Sequence, residues 1–107
     1  MKKIILMLVS VLVINACTST KNVPFNEVEA SLNQKYVVLS NEYYKMLENP
    51  IVEKDRKNIL SRFENFRTEV KDLKKNRKEQ TANETRVFNS FIDKSSTNIQ
   101  YLNDLGE

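Results

Sequence analysis

Residues 50–80, PIVEKDRKNILSRFENFRTEVKDLKKNRKEQ, decide the fold class of this chain. The apolar side chains do not alternate as they would in a strand, but recur every seven residues at two helical positions. The first position holds Val52, Ile59, Phe66 and Leu73, and the second holds Arg56, Phe63, Val70 and Arg77. A stripe this narrow is typical of a helix that packs in a coiled-coil-like seam.

A helical stripe also lies on each side of this segment. The earlier stripe contains Phe25, Leu32, Tyr36, Leu39, Tyr43 and Met46, and the later one contains Phe88, Phe91, Ile92, Ile99, Leu102 and Leu105. Asn49-Pro50 interrupts the pattern, since proline disfavours helix at the residue before it and Asn is a good N-cap. Thr81 and Glu84 have the spacing of a capping box.

We therefore predict an all-α fold, a small up-down-up bundle with helices over residues 24–48, 50–79 and 82–105. A continuous helix from Pro50 to Leu105, giving a coiled-coil-like helical hairpin, is the alternative, because neither Gly nor Pro forces a turn near residue 80. Residues 24–107 form the helical domain in either case, after a signal peptide at 1–16 and a tether at 17–23.

A tight turn at Asn49-Pro50 sets the predicted register of the first two helices. It places Tyr36 against Phe63, and Tyr43 against Arg56, where the ring can cover the guanidinium group. Phe66, in the middle of the middle helix, is predicted to be the most sensitive core position. Phe91 is expected nearer the end of the bundle, where truncation costs less.

The composition argues against catalysis and against a metal or organic cofactor. There is one Cys and no His among 107 residues, so neither a disulfide framework nor a protein zinc site is expected. No Gly-rich loop is available for a phosphate group. The acidic pairs Glu27/Glu29 and Glu42/Glu48 are expected on solvated helix faces. We predict a protein that is not an enzyme and binds no small-molecule substrate.

The first 17 residues have the pattern of an export signal. Lys2 and Lys3 precede an apolar run from Ile4 to Ile14, which is too short to span a bilayer as a helix. The sequence Ile14-Asn15-Ala16-Cys17 then resembles the lipobox of bacterial lipoproteins, with Asn15 departing from the usual small or apolar residue. This resemblance implies cleavage between Ala16 and Cys17 and lipidation of Cys17. Because Thr18 follows, it also implies the outer membrane in a host with two membranes.

Charge and apolar residues outside the stripes suggest two interaction sites. Lys71, Lys74, Lys75, Arg77 and Lys78 form a basic cluster that either neutralises the C-terminal end of a helix or contacts an anionic surface. Ala30, Val37 and Tyr44 repeat every seven residues on a flank of the first helix. They are either covered by the third helix or exposed to a partner.

The sequence thus indicates a lipoprotein that acts by binding. One hypothesis is an envelope protein that docks to helices of a larger assembly or to itself. The other is a surface-exposed, adhesin-like protein, with a likeness in shape and size to small helical-hairpin adhesins. Nucleic acid is not an expected partner, because without Lys2 and Lys3 the chain carries 15 basic and 14 acidic side chains.

Overall fold

The computed structural model describes residues 23–106 as an all-α bundle of three helices. Helix α1 covers Phe25–Leu47, α2 covers Glu53–Asn76 and α3 covers Ala82–Leu105. Lys35 of α1 pairs with Glu69 of α2 at 2.5 Å, and Phe25 of α1 packs edge-on against Phe88 of α3. The helices therefore run up, down and up, and the continuous helix from residue 50 to 105 is wrong.

The connection between α1 and α2 is longer than the sequence predicts. Helix α1 ends at Leu47 and α2 begins only at Glu53, so Pro50 precedes the helix instead of starting it. Asn49 is not the N-cap of α2, because its side-chain amide donates 3.3 Å to the Lys45 carbonyl at the end of α1. Val52 occupies the N-cap position and offers no side-chain hydrogen bond.

This longer connection changes which residues meet across α1 and α2. The predicted contact of Tyr36 with Phe63 is confirmed, with ring centroids 6.3 Å apart. Tyr43, however, packs edge-on against Phe63 at 5.9 Å. Within residues 23–106 the cation–π contacts are Arg77 over Phe25 and Lys94 over Tyr36, not Arg56 over Tyr43.

Polar side chains make the break between α2 and α3. The Gln80 amide donates to the carbonyls of Lys74 and Arg77, both at 2.6 Å, so carbonyls that a continuing helix would pair are satisfied by a side chain. Thr81 and Glu84 then form the predicted capping box. A turn without Gly or Pro is stable here because both helix ends keep hydrogen-bond partners.

The core runs along the seam of all three helices, and α2 makes its most extensive contact with α3. Its buried apolar residues are Leu32, Leu39, Tyr43, Met46, Ile59, Phe63, Phe66, Val70, Phe88, Phe91, Ile99 and Leu102. Phe91 is not peripheral as predicted, because its ring lies 6.0 Å from that of Phe66 in an edge-to-face contact. Both rings also approach Tyr36.

Candidate interaction surfaces

The residues that carry the export signal lie outside the described part of the chain. Ala16 and Cys17 precede Val23, the first residue that the structure describes. The predicted cleavage and lipidation therefore stay predictions. What the structure does describe is where the chain enters the bundle, at Val23 and Pro24 ahead of α1.

Arg77 is the member of the basic cluster that holds this entry point. Its Nη1 donates 2.9 Å to the Val23 carbonyl, and its guanidinium carbon lies 5.4 Å from the centre of the Phe25 ring. Glu84, at the start of α3, lies 3.7 Å from Arg77 Nε. Arg77 therefore joins the end of α2 to the starts of α1 and α3 and is not a surface cation.

The four lysines of the cluster differ in their contacts. Lys74 donates 2.7 Å to the Asn89 side chain of α3. Lys71, Lys75 and Lys78 are exposed and make neither a side-chain hydrogen bond nor an ion pair with residues 23–106. The cluster thus lies at the end of the bundle where the chain enters, and two of its five cations make contacts within the bundle.

The flank of α1 that holds Ala30, Val37 and Tyr44 is exposed. Val37 and Tyr44 are 45% and 60% exposed to solvent, and Ala30 is exposed as well. Helix α3 does not cover them, because it packs over Tyr36, whose hydroxyl accepts a 3.0 Å hydrogen bond from Asn98. Of the two arrangements that the sequence allows, the structure has the exposed one.

Helix α3 extends this strip near the end of α1. Tyr101 is 55% exposed, and it neighbours Tyr43 together with Tyr44. Burial, and then the nearby Tyr44 and Tyr101 hydroxyls, raise the pKa of Tyr43. The rings of Tyr43 and Tyr44 lie 5.9 Å apart. The exposed apolar strip of Ala30, Val37 and Tyr44 therefore lies on the outer face of α1, and Tyr101 of α3 lies near the Tyr44 end of it.

The four glutamates of the acidic pairs differ in their contacts. Glu42 accepts two 2.6 Å hydrogen bonds from Arg62 of α2. These hydrogen bonds lower the pKa of Glu42, which suits an ion pair and not a general acid. Glu27, Glu29 and Glu48 are exposed to solvent.

Two of the open grooves between α1 and α2 share a lining residue. One, of about 350 Å³, is at the connection and is lined by Met46, Val52 and Ile59 among others. The other, of about 550 Å³, has Leu39, Phe66 and the exposed Val38 at its surface. Arg62 lines both grooves, and its bidentate contact with Glu42 crosses the α1–α2 interface between them.

Arg56 has a role that the sequence analysis missed. It is buried, and its Nη1 donates 3.0 Å to the Leu102 carbonyl, near the end of α3. Glu53 holds the other side of the guanidinium group through Nε at 2.9 Å and through Nη2. A Cβ atom on Gly106 would lie 2.5 Å from Arg56 Cζ, so glycine leaves room for this contact. The sequence did contain a signal for this role, because Arg56 shares its heptad position with the apolar Phe63 and Val70.

Comparison with known proteins identifies no relative. No protein-family model matches the chain, and no curated protein or solved structure is significantly similar to it. Residues 23–106 contain no helix that is both long and apolar enough to span a membrane. Among the same residues, no group of three or more acidic or Cys side chains is placed to hold a metal ion.

Proposed function

We propose that this chain is a lipid-anchored, non-catalytic binding protein of a bacterial cell envelope, and that it docks to another helical protein. The Lys2-to-Cys17 pattern supports the anchor, and Thr18 favours the outer membrane. The exposed strip of Ala30, Val37 and Tyr44, with Tyr101 near one end, is the observation that carries the docking role. Helix pairs associate by burying such stripes against each other.

The shape of the strip suits a helical partner. Its residues follow the seven-residue spacing of α1, and Tyr101 borders it from the parallel helix α3. An exposed apolar strip of this spacing offers a helix of the partner a ridge against which it can pack in the usual ridges-into-grooves way. Tyrosines that are half exposed supply apolar area and a hydrogen-bonding hydroxyl, a combination that is enriched at interfaces.

The anchor is tested separately from the strip. The wild-type protein should incorporate labelled palmitate and partition with membranes, whereas Cys17→Ala should do neither. Equal membrane partitioning of the two would show that lipidation of Cys17 is not what holds the protein there.

The strip is tested by photocrosslinking in intact cells. A photoreactive amino acid at position 44 should give a discrete adduct with one envelope protein, and the double variant Val37→Ser/Tyr44→Ser should lose that partner. Val38→Ser is the matched control, because Val38 is also half exposed on α1 but lines the groove toward α2. Equal adducts from positions 38 and 44, or none from 44, would contradict the docking role.

Protease treatment of intact cells decides which side of the membrane is involved. Protection of the helical domain is expected for an envelope partner inside the outer membrane. Cleavage would instead favour the surface-exposed, adhesin-like alternative.

A further inference from the structure

We infer that Lys71, Lys75 and Lys78 seat the end of α2 on a surface of anionic phospholipid. This inference rests on the proposed anchoring at Cys17 and adds to it a second, electrostatic contact with the same membrane. The three lysines are named here as the seating lysines. They are the part of the basic cluster that neither Val23, Phe25 nor α3 engages.

The position of the seating lysines follows from Arg77. Its 2.9 Å hydrogen bond to the Val23 carbonyl fixes the end of α2 beside the residue where the chain enters the bundle. Val23 lies six residues after Cys17, a length that spans at most about 20 Å when fully extended. A lipid on Cys17 therefore keeps this end of the bundle in the neighbourhood of the headgroups.

The charge of this end favours contact with anionic lipid. Between Lys71 and Glu79 there are five basic and two acidic side chains, a net charge of +3. The connection at the opposite end, from Glu48 to Asp55, has one basic and three acidic side chains, a net charge of −2. An anionic surface therefore attracts the segment from Lys71 to Glu79 more strongly than it attracts the connection between α1 and α2.

The arrangement of the charges also determines which helix faces the membrane. Lys71 and Lys75 are four residues apart and so lie on the same face of α2, and Lys78 follows in the connection to α3. Glu27 and Glu29, near the start of α1, lie at the same end and are exposed. Their repulsion from anionic headgroups disfavours an upright bundle and directs α2, not α1, toward the bilayer.

The expected strength is modest for each lysine and substantial for the three together. Screening limits such attractions to about 8 Å at physiological salt, so the tether must first bring the lysines close. Each lysine near an anionic surface then strengthens binding roughly fivefold. Together the three favour the seated state on the order of 100-fold.

The test uses the acylated mature protein, which begins at Cys17, reconstituted in vesicles. A fluorophore on Asn76→Cys, an exposed position between the seating lysines, reports proximity to headgroups through lipids with a headgroup quencher. Quenching should be strong in vesicles with 30% phosphatidylglycerol and weak in pure phosphatidylcholine. It should fall in 0.5 M NaCl and in the triple variant Lys71→Gln/Lys75→Gln/Lys78→Gln.

A second triple variant provides the matched control. Lys45→Gln/Lys54→Gln/Lys57→Gln removes the same charge from exposed positions nearer the other end and should leave quenching at position 76 unchanged. Equal quenching in the two lipid mixtures, or equal effects of the two triple variants, would overturn the seating role. If the mass of the intact protein shows no acyl groups, the anchor is overturned and the seating role with it. If the protein is acylated but the quenching results fail, only the seating role is overturned.

Discussion

The hairpin of α2 and α3 and the helix α1 are held in the bundle by different kinds of contact. The hairpin has a Gln80 cap, a complete capping box at Thr81 and a buried Arg56 that reaches across to the Leu102 carbonyl. Helix α1, like α2, begins without a side-chain cap, and the ion pairs that join α1 to α2 are solvent-exposed. Apolar residues bury the inner face of both regions.

This difference suggests a division of roles. The hairpin caps the break between its two helices with its own side chains and carries most of the helix–helix contact. Helix α1 adds the residues that complete the core, yet leaves an apolar flank uncovered and follows directly on the tether. Because this flank of α1 has no neighbour among residues 23–106, a further helix can pack against it while the α2–α3 hairpin stays folded.

The largest expected effect comes from the aromatic contact in the hairpin. Phe66→Ala should cost about 3–5 kcal/mol in free energy of unfolding, through lost apolar burial and a cavity. Phe91→Ala should cost about as much, because the two rings pack against each other and against Tyr36. Urea unfolding followed by circular dichroism measures both.

The double variant sharpens this prediction. Since the two rings share one contact, Phe66→Ala/Phe91→Ala should cost less than the two single variants added together. Strict additivity, or a Phe66→Ala variant as stable as the parent, would show that the three-helix core is not packed as described.

A smaller effect separates the buried arginine of the hairpin from the exposed arginine that pairs with α1. Arg56→Gln should lower the thermal midpoint more than Arg62→Gln. The first leaves the Leu102 carbonyl without its buried donor, whereas the second breaks an ion pair whose two side chains are 40% and 44% exposed. A larger drop of the thermal midpoint in Arg62→Gln would contradict this order and show that the contact between α1 and α2 contributes more stability.

A still smaller effect is expected from acid. Arg62 lowers the pKa of Glu42 below its usual 4.5, so the folded state holds this proton less tightly than the unfolded chain does. The ion pair therefore stabilises the fold above about pH 4.5, and its contribution disappears as the pH falls through the lowered pKa. For a pair this exposed the contribution is about 0.2–1 kcal/mol.

Glu42→Gln tests the acid effect directly. The variant should be slightly less stable than the parent at pH 7, and the two stabilities should converge below the lowered pKa of Glu42. Thermal unfolding at pH 7 and at low pH measures this. A difference that stays constant with pH would mean that Glu42 acts through packing and not through its charge.

Much of the fold is predictable because helical periodicity is a local property. The three stripes indicate three helices, and Thr81 and Glu84 mark the start of the last one to the residue. The register between α1 and α2 is not predictable in the same way. It depends on the five residues from Glu48 to Val52, whose path is set by the packing of the helices that they join.

The candidate surfaces show the same limit. The sequence brings the basic cluster to the tether end of the bundle, since a hairpin returns the chain to where it began. It does not reveal that Arg77 contacts Val23 and Phe25, whereas Lys71, Lys75 and Lys78 stay exposed. Which cations are used depends on contacts between residues that are far apart in the chain.

By itself, the sequence determined the all-α class, the three helical stripes and the capping box, because each follows from side chains within a few residues of one another. Only the tertiary structure decided that α3 packs over Tyr36 and leaves Val37 and Tyr44 exposed. The same holds for Arg56, which reaches the Leu102 carbonyl and not the ring of Tyr43. The physical reason is that a stripe shows which face of a helix is buried, whereas the position of a third helix depends on how all three faces pack at once.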